Sequence, residues 1–368
     1  MVVRSIFLEG FRNYRCSTAR FSDGVNVIVG KNAQGKTNLL EAVHFMSSGR
    51  SFRSAGERDL IAFGGEGARI KAEITSGGRE QTLEARFFHG RRRELSANGA
   101  KLKKASELAG RLTAVLFGPD DLDMIKDGAA IRRRMMDQCL SQLRPGYASA
   151  LSEFGRLYEH KTRILRDHRE KPSLLELLDD FDTRLAEQSA RLIYYRSAFA
   201  GILSRKAAAI HGEFSGGAEE LAIRYKTVGG MDAAGKKPEQ LLPELLEHQK
   251  GHRRAELSSG LCLSGAHKDD LEIDVNGAPA RKFASQGQAR TAAVSIKLAE
   301  RDIHRDESGE YPVLLLDDVL SELDATRQGF VLGRIASGQI LITCCDESSV
   351  PAAPGAAVLK IENGRIVD

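Results

Sequence analysis

The sequence predicts an α/β protein: a head of mixed β-sheet and helices, interrupted by an α-helical hairpin arm. Three observations predict it. A strand-like run, Val25-Asn26-Val27-Ile28-Val29, leads directly into Gly30-Lys31-Asn32-Ala33-Gln34-Gly35-Lys36-Thr37 and then into a helical stretch at residues 38–46. A second apolar run, Pro312-Val313-Leu314-Leu315-Leu316, ends in Asp317-Asp318, about 280 positions after Lys36. Between the two lies a stretch whose apolar residues recur at heptad spacing.

The first third reads as strands and turns. Residues 5–9 and 25–29 are strand-like. Residues 68–75 and 81–87 flank Ser76-Gly77-Gly78, a hairpin signature. Asn98-Gly99 marks a second hairpin, because both residues tolerate the positive φ that a tight turn needs, and the dipeptide recurs at Asn276-Gly277 and Asn363-Gly364. In the middle, Tyr147, Leu151, Phe154, Tyr158, Lys161 and Leu165 form a seam with one polar break. Pro172 interrupts it, and a second series runs from Leu174, Leu178, Phe181 and Leu185 to Leu192, Tyr195, Phe199 and Leu203. Two readings fit: an antiparallel coiled-coil hairpin or a plain helical subdomain. From about Leu261 the β character returns. The expected organisation is a head of residues 1–130 and 260–368 interrupted by a helical arm at 131–259.

Composition is that of an ordinary folded chain: 368 residues, 42% hydrophobic, 54 Lys+Arg against 50 Asp+Glu. Apolar runs such as residues 313–316 are far shorter than the roughly 20 residues of a membrane span. Arg4 and Glu9 break the first apolar stretch, so no secretory signal is expected, and a cytoplasmic location is. The five cysteines are odd in number and form no C-x-x-C pair, which argues for reduced thiols over zinc or disulfides. Two basic knots stand out: Arg91, Arg92, Arg93 with Lys101, Lys103, Lys104, and Arg132, Arg133, Arg134. Each could face phosphates or only solvent.

The segment Gly30–Thr37 is G-x-x-x-x-G-K-T between a strand and a helix, the context that defines a P-loop. Its glycines let the backbone N–H groups of Gly30, Lys31, Asn32, Ala33, Gln34 and Gly35 close around phosphate oxygens, and the following helix adds its positive end. Lys36 would reach the β and γ phosphates of ATP, and Thr37 would offer a hydroxyl to Mg²⁺. Asp317 would hold Mg²⁺ through water, and Asp318 would orient or deprotonate the attacking water. A third element, Ser285-Gln286-Gly287-Gln288-Ala289-Arg290, opens a helical stretch at 291–302. Ser285 could simply cap that helix, or it could present donors to an anion.

Together these elements are similar to the RecF family of SMC-like, ABC-type ATPases. The N-terminal Leu8-Glu9-Gly10-Phe11-Arg12-Asn13-Tyr14, Gly49-Arg50-Ser51-Phe52-Arg53, Pro119-Asp120-Asp121-Leu122 and Gly265-Ala266-His267-Lys268-Asp269-Asp270-Leu271 resemble further family motifs. Ser285-Gln286-Gly287 resembles the signature and Ser321-Glu322-Leu323-Asp324 the D-loop. Ala266, Lys268 and Ala289 depart from the family's Pro, Arg and Gln. No His follows residues 339–343, so Thr343 or Asp346 would serve as the switch residue. The resemblance implies a head-to-head homodimer that forms on ATP, with Ser285, Gln286 and Gly287 contacting nucleotide across the interface. It implies a weak, DNA-stimulated ATPase acting as a switch, binding to single-stranded or gapped DNA, and recombinase loading with RecO and RecR. Replication maintenance and SOS induction come with it. A structural SMC-like ATPase that bridges DNA is the alternative; its arms would be hundreds of residues long.

Overall fold

The computed structural model describes residues 1–53, 56–346 and 355–367. In chain order its strands are β1 (Val2–Phe11), β2 (Tyr14–Arg20), β3 (Val25–Val29), β4 (Gly67–Ser76), β5 (Arg79–Phe88), β6 (Glu94–Ala97), β7 (Ala100–Lys101), β8 (Ala114–Phe117), β9 (Leu221–Lys226), β10 (Asp270–Val275), β11 (Ala278–Pro279), β12 (Val313–Asp317), β13 (Ile340–Cys344), β14 (Ala357–Glu362) and β15 (Arg365–Val367). Its helices are α1 (Lys36–Ser48), α2 (Pro119–Leu122), α3 (Ala129–Leu143), α4 (Pro145–Asp167), α5 (Leu178–Ser215), α6 (Pro238–Ser259), α7 (Ala280–Phe283), α8 (Gln286–Ser308) and α9 (Ala325–Arg334). They fall into two compact units, one of Met1–Asp123 with Ala293–Asp368 and one of Met124–Ala292.

The first unit holds two six-stranded sheets. One, ordered β2-β1-β4-β5-β6-β7, is antiparallel throughout. The other is ordered β15-β14-β3-β13-β12-β8, parallel from β14 to β8 with β15 antiparallel at its edge. β12 and β13 are buried along their whole length, which is why their sequences are unbroken apolar runs rather than alternating ones. α1 packs against strands of both sheets and is buried nearly all round, from Leu39 to Ser47. Its Leu39, Leu40, Val43, Phe45 and Met46 share one core with Ile6, Leu8, Ile70 and Leu83 of the antiparallel sheet and Ile28, Leu315 and Leu341 of the parallel one.

All three Asn-Gly dipeptides are two-residue hairpin turns with both residues at positive φ: Asn98 51° and Gly99 79°, Asn276 51° and Gly277 74°, Asn363 50° and Gly364 69°. They close β6–β7, β10–β11 and β14–β15, with flanking pairs Ala97–Ala100, Val275–Ala278 and Glu362–Arg365. Gly77-Gly78 turns β4 into β5 in the same way.

The second unit carries the long helices. α4 has 23 residues and α5 has 38, and a 3₁₀ turn at Pro172–Leu177 joins them. Tyr147 meets Arg196 near one end and Lys161 meets Asp182 toward the other, so one number rises as the other falls, as antiparallel helices require. The seam differs in phase from the expected one. Tyr147, Phe154, Lys161 and Leu165 are buried, but Ala150 and Leu157 take the positions expected of Leu151 and Tyr158, and Ile164 is buried beside Leu165. The polar break has a physical reason. The Lys161 ammonium lies 2.7 Å from Asp182 of α5 and 2.8 Å from Glu256 of α6, so a third helix shares the seam. This is a helical subdomain with further helices packed on the hairpin, rather than a free coiled coil.

The expected return to the head at residue 260 differs from the structure, where residues 260–292 belong with the second unit. β10 pairs with β9 in six-residue antiparallel register, from Asp270–Lys226 to Val275–Leu221. That ladder holds the segment to the helical unit, and α8 begins in one unit and ends in the other.

Candidate functional site

The parallel sheet explains how residues so distant in sequence meet. β13 lies between β3 and β12, all three run parallel, and the segments leaving their C-terminal ends share one edge. Ligands of open α/β sheets bind at such an edge. β3 delivers Gly30–Thr37, β12 delivers Asp317-Asp318, and β13 delivers Thr343, Cys344 and Cys345.

The loop has the shape of an anion cradle. Ala33 and Gly35 sit at positive φ, 64° and 119°, turning successive N–H groups inward. A side chain at Gly30 would lie 2.5 Å from the carbonyl oxygen of Ile361, so only glycine fits there. Lys36 opens α1 and is 4% exposed. Its ammonium donates to the Gly30 carbonyl at 2.7 Å and the Lys31 carbonyl at 3.4 Å, and it stands 4.0 Å from Asp318 Oδ2. The cation is thus held inside the loop, beside the second carboxylate.

Thr37 Oγ1 donates to Asp317 Oδ1 at 2.9 Å, joining the P-loop directly to β12. Burial raises the Asp317 carboxyl above its ordinary range; the Thr37 and Thr343 hydroxyls oppose this, and Asp318 beside it adds to it. Asp318 is about one-third exposed and adopts the left-handed region, φ 51°, which turns its side chain out of the strand. A hydroxyl and a carboxylate oxygen at this spacing are hard donors of the kind that suits Mg²⁺.

Sequence reasoning underrated Thr343. Its hydroxyl donates to Asp317 Oδ1 at 3.0 Å and accepts the Asp318 N–H at 2.8 Å. One buried side chain therefore holds the Asp317 carboxylate and fixes the backbone from which Asp318 projects. The group that faces Lys36 from β13 is Cys345, whose Sγ lies 3.6 Å from the ammonium and 3.0 Å from Asn32 Oδ1. Asp346 is exposed.

A second missed set braces the loop from the N-terminal motif. Asn13 Nδ2 donates to the Gln34 carbonyl at 2.8 Å, and the buried Tyr14 hydroxyl donates to the Gly35 carbonyl at 2.9 Å. Arg12 grips the fully buried Glu41 of α1 through two bonds, 2.8 and 2.7 Å. The Asn363-Gly364 turn closes the other side, with Gly364 N–H on the Gln34 carbonyl at 2.9 Å and Asn363 N–H on Gln34 Oε1 at 2.6 Å. The signal in the sequence was present as Arg12-Asn13-Tyr14, but only the fold shows what these residues touch.

Ser285, Gln286 and Gly287 lie in the other unit, at the start of α8. Ser285 Oγ accepts the Gln288 N–H at 3.2 Å, and Gln288 Oε1 accepts the Ser285 N–H at 3.0 Å, a reciprocal cap. Ser285 and Gln286 are exposed. Within the two basic knots, some members are held by other groups of the protein and others face solvent. Arg132 is buried and binds Asp270 through two bonds, 2.7 and 2.9 Å, and Arg133 donates to the Asp269 carbonyl at 2.6 Å. Arg93 pairs with Glu57 at 2.6 Å and Lys101 with Glu94 at 3.0 Å. Arg91, Arg92, Lys103, Lys104 and Arg134 remain exposed. No described helix is long and apolar enough to cross a membrane.

Residues 2–365 match the family model of the RecF/RecN/SMC N-terminal domain. The chain is 37% identical over 348 residues to the DNA replication and repair protein RecF of Acetivibrio thermocellus, covering 94% of each. It is 38% identical over 355 residues to the protein of that name from Listeria monocytogenes, covering 95% of this chain and 94% of the other. A solved structure described as the recombination mediator protein RecF-ATPrS in the RecFOR pathway superimposes with a TM-score of 0.91 at 33% identity, covering 99% of this chain and 97% of that one. The Smc head domain of Pyrococcus furiosus superimposes with a TM-score of 0.53 at 17% identity, covering 99% of this chain and 95% of that one, which extends the likeness in fold.

Proposed function

This chain belongs to the RecF family of DNA replication and repair proteins, and from that premise we propose that it is an ATP-gated clamp acting on single-stranded or gapped DNA. The observation that carries the reading is the closed P-loop: Lys36 inside the loop, and Thr37 bonded to Asp317 across the sheet. A relative at 33% identity over almost the whole chain was solved with ATP.

In this reading ATP lies along Gly30–Thr37, with Lys36 on its β and γ phosphates. Thr37 and Asp317 would hold Mg²⁺, which supplies positive charge to the phosphates. Asp318 orients the attacking water and accepts its proton as the water oxygen bonds the γ-phosphorus and the bond to the β–γ bridging oxygen breaks. Thr343 keeps the Asp317 carboxylate and the Asp318 backbone in place. ATP drives closure only if it binds the dimer more tightly than the monomer. Ser285, Gln286 and Gly287 provide that difference when a second copy presents them to the γ-phosphate. The reading extends to recombinase loading with RecO and RecR and to SOS induction, on the strength of family membership.

Fluorescence anisotropy on gapped DNA, with and without ATP and Mg²⁺ at two salt concentrations, tests it. Tighter binding with ATP that weakens with salt is expected; equal binding with and without ATP would remove the gate. Ser285→Arg should leave ATP binding intact and abolish ATP-induced dimerisation in sedimentation velocity. Asp318→Asn should accumulate the ATP-bound dimer. Thr343→Val should lower turnover about tenfold, consistent with about 1–3 kcal/mol for leaving a buried polar group unpaired. ATP affinity should change little, and Thr343→Ser should restore the rate. Equal rates in the Val and Ser variants would remove the positioning role.

A further inference from the structure

We infer that Phe63, together with Arg91, Arg92 and His89, forms a contact for the unpaired bases of single-stranded DNA. This rests on the DNA-binding reading above and names the surface that serves it.

Phe63 is the most exposed large apolar side chain among the described residues, with relative exposure of 109%. It stands at the tip of a turn that is firmly held. Gly65 N–H donates to the Ala62 carbonyl at 2.8 Å, with Phe63 and Gly64 at the centre and Gly64 at φ 73°. Ala62 N–H donates to the Gly10 carbonyl at 2.8 Å, and Ile61 bridges Phe11. His89 Nε2 bonds the Gly65 carbonyl at 2.9 Å, which ties the turn to the end of β5. The ring is therefore presented on a fixed backbone, so little ordering entropy opposes a contact there.

Two arginines share its edge. The His89–Gly65 bond brings the His89-Gly90-Arg91-Arg92 turn to the same edge. Arg91 lies 3.5 Å over the Phe88 ring, a stacked cation and aromatic of the kind that also accepts a base. Arg92 is exposed. Of the acids near this edge, Glu57 is paired with Arg93 at 2.6 Å and Glu94 with Lys101 at 3.0 Å, and the exposed Asp59 and Glu66 stand against the exposed Arg58, Arg91 and Arg92. A flat ring with adjacent free guanidinium groups matches a strand that offers base faces and phosphates together. The apolar core that centres a protein–protein interface would need further large hydrophobics beside Phe63. Glycines follow Phe63 in the chain, and among the described residues of this unit the one other exposed large hydrophobic is Val358, on another sheet.

The test uses the full chain with ATP and Mg²⁺ on a gapped duplex carrying 2-aminopurine in the gap. Wild type should bind it and change the 2-aminopurine fluorescence by stacking. Phe63→Ala should bind about tenfold more weakly and lose that change. Phe63→Trp should retain both, and Arg91→Ala with Arg92→Ala should weaken binding and flatten its salt dependence. Thermal melting checks that each variant is folded. Wild-type affinity and fluorescence change in Phe63→Ala would overturn the inference and leave the DNA-binding reading standing, as would a loss confined to binding of another protein. No binding of any DNA by wild type would defeat that reading and this inference with it.

Discussion

Lys36→Met is expected to weaken ATP binding by about a hundredfold or more, measured by isothermal titration with ATP and Mg²⁺. The ammonium is 4% exposed and already hydrogen-bonded to the loop, 2.7 Å from the Gly30 carbonyl. It is therefore placed for phosphate before nucleotide arrives. A hydrogen bond to a charged group is worth about 1.5–3 kcal/mol, and Lys36 would make one to each of two phosphates. Methionine keeps the unbranched apolar stem of lysine and is only one atom shorter, so the loop loses its charge and little of its filling. The exposed Lys31 is a contrast: Lys31→Ala keeps the backbone donor and should change affinity only slightly. Wild-type affinity in Lys36→Met would separate the phosphate role from the motif.

Arg196→Met is expected to destabilise the helical unit by about 3–5 kcal/mol, the range for breaking a buried ion pair from one side. Arg196 is 2% exposed and serves five acceptor contacts. Its Nε bonds Tyr147 at 2.9 Å and Asp137 at 3.1 Å; Nη2 bonds Asp137 at 2.7 Å; Nη1 bonds the Ala266 carbonyl at 2.6 Å and Asp269 at 3.1 Å. Asp269 also accepts from the Tyr225 hydroxyl and the Val228 N–H. The network ties α3, α4, α5, β9 and the start of β10 to one guanidinium.

The loss should depend on pH, with a definite sign. Burial pushes the Asp269 carboxyl up to about 6, against the opposing pull of Arg196. The folded state therefore holds this proton more tightly than the unfolded state. Asp269 contributes stability below the unfolded value near 3.8, and that contribution is lost as pH rises through about 6. Without Arg196 the carboxyl rises further. At pH 5.5 it can remain neutral, and at pH 8 it is driven to ionise in an apolar site. Urea unfolding should show a larger difference between wild type and Arg196→Met at pH 8 than at pH 5.5. A difference independent of pH would mean that Asp269 is not the group left uncompensated.

The legible parts of this fold are those set by local chemistry. Asn-Gly demands positive φ at two consecutive positions, so three hairpins could be placed to the residue. The P-loop could be placed because its glycines, lysine and threonine each answer to a phosphate or a metal within eight residues of chain. Illegible were positions whose partners lie far along the chain. Lys161 read as a flaw in a seam, because Asp182 and Glu256 come from two other helices. Arg132 read as part of a basic surface, because Asp270 is 138 positions away. The return of β character near residue 260 did not reveal its own partner, because β10 pairs with β9, far upstream in the chain.

By itself the sequence determined the nucleotide chemistry, since a phosphate cradle is a short contiguous motif whose backbone geometry its own residues impose. It also carried the family, through motifs spread over nearly the whole chain. Only the tertiary structure decided that β13 stands between the P-loop strand and the carboxylate strand, so that Thr343 reaches Asp317 and the Asp318 N–H. It likewise decided that Arg12, Asn13 and Tyr14 brace α1 and the loop, and that a fully exposed Phe63 shares an edge with Arg91 and Arg92. These are contacts between segments tens to hundreds of residues apart. Strand order and sheet register create them, and no local preference of the chain encodes where a distant strand will pair.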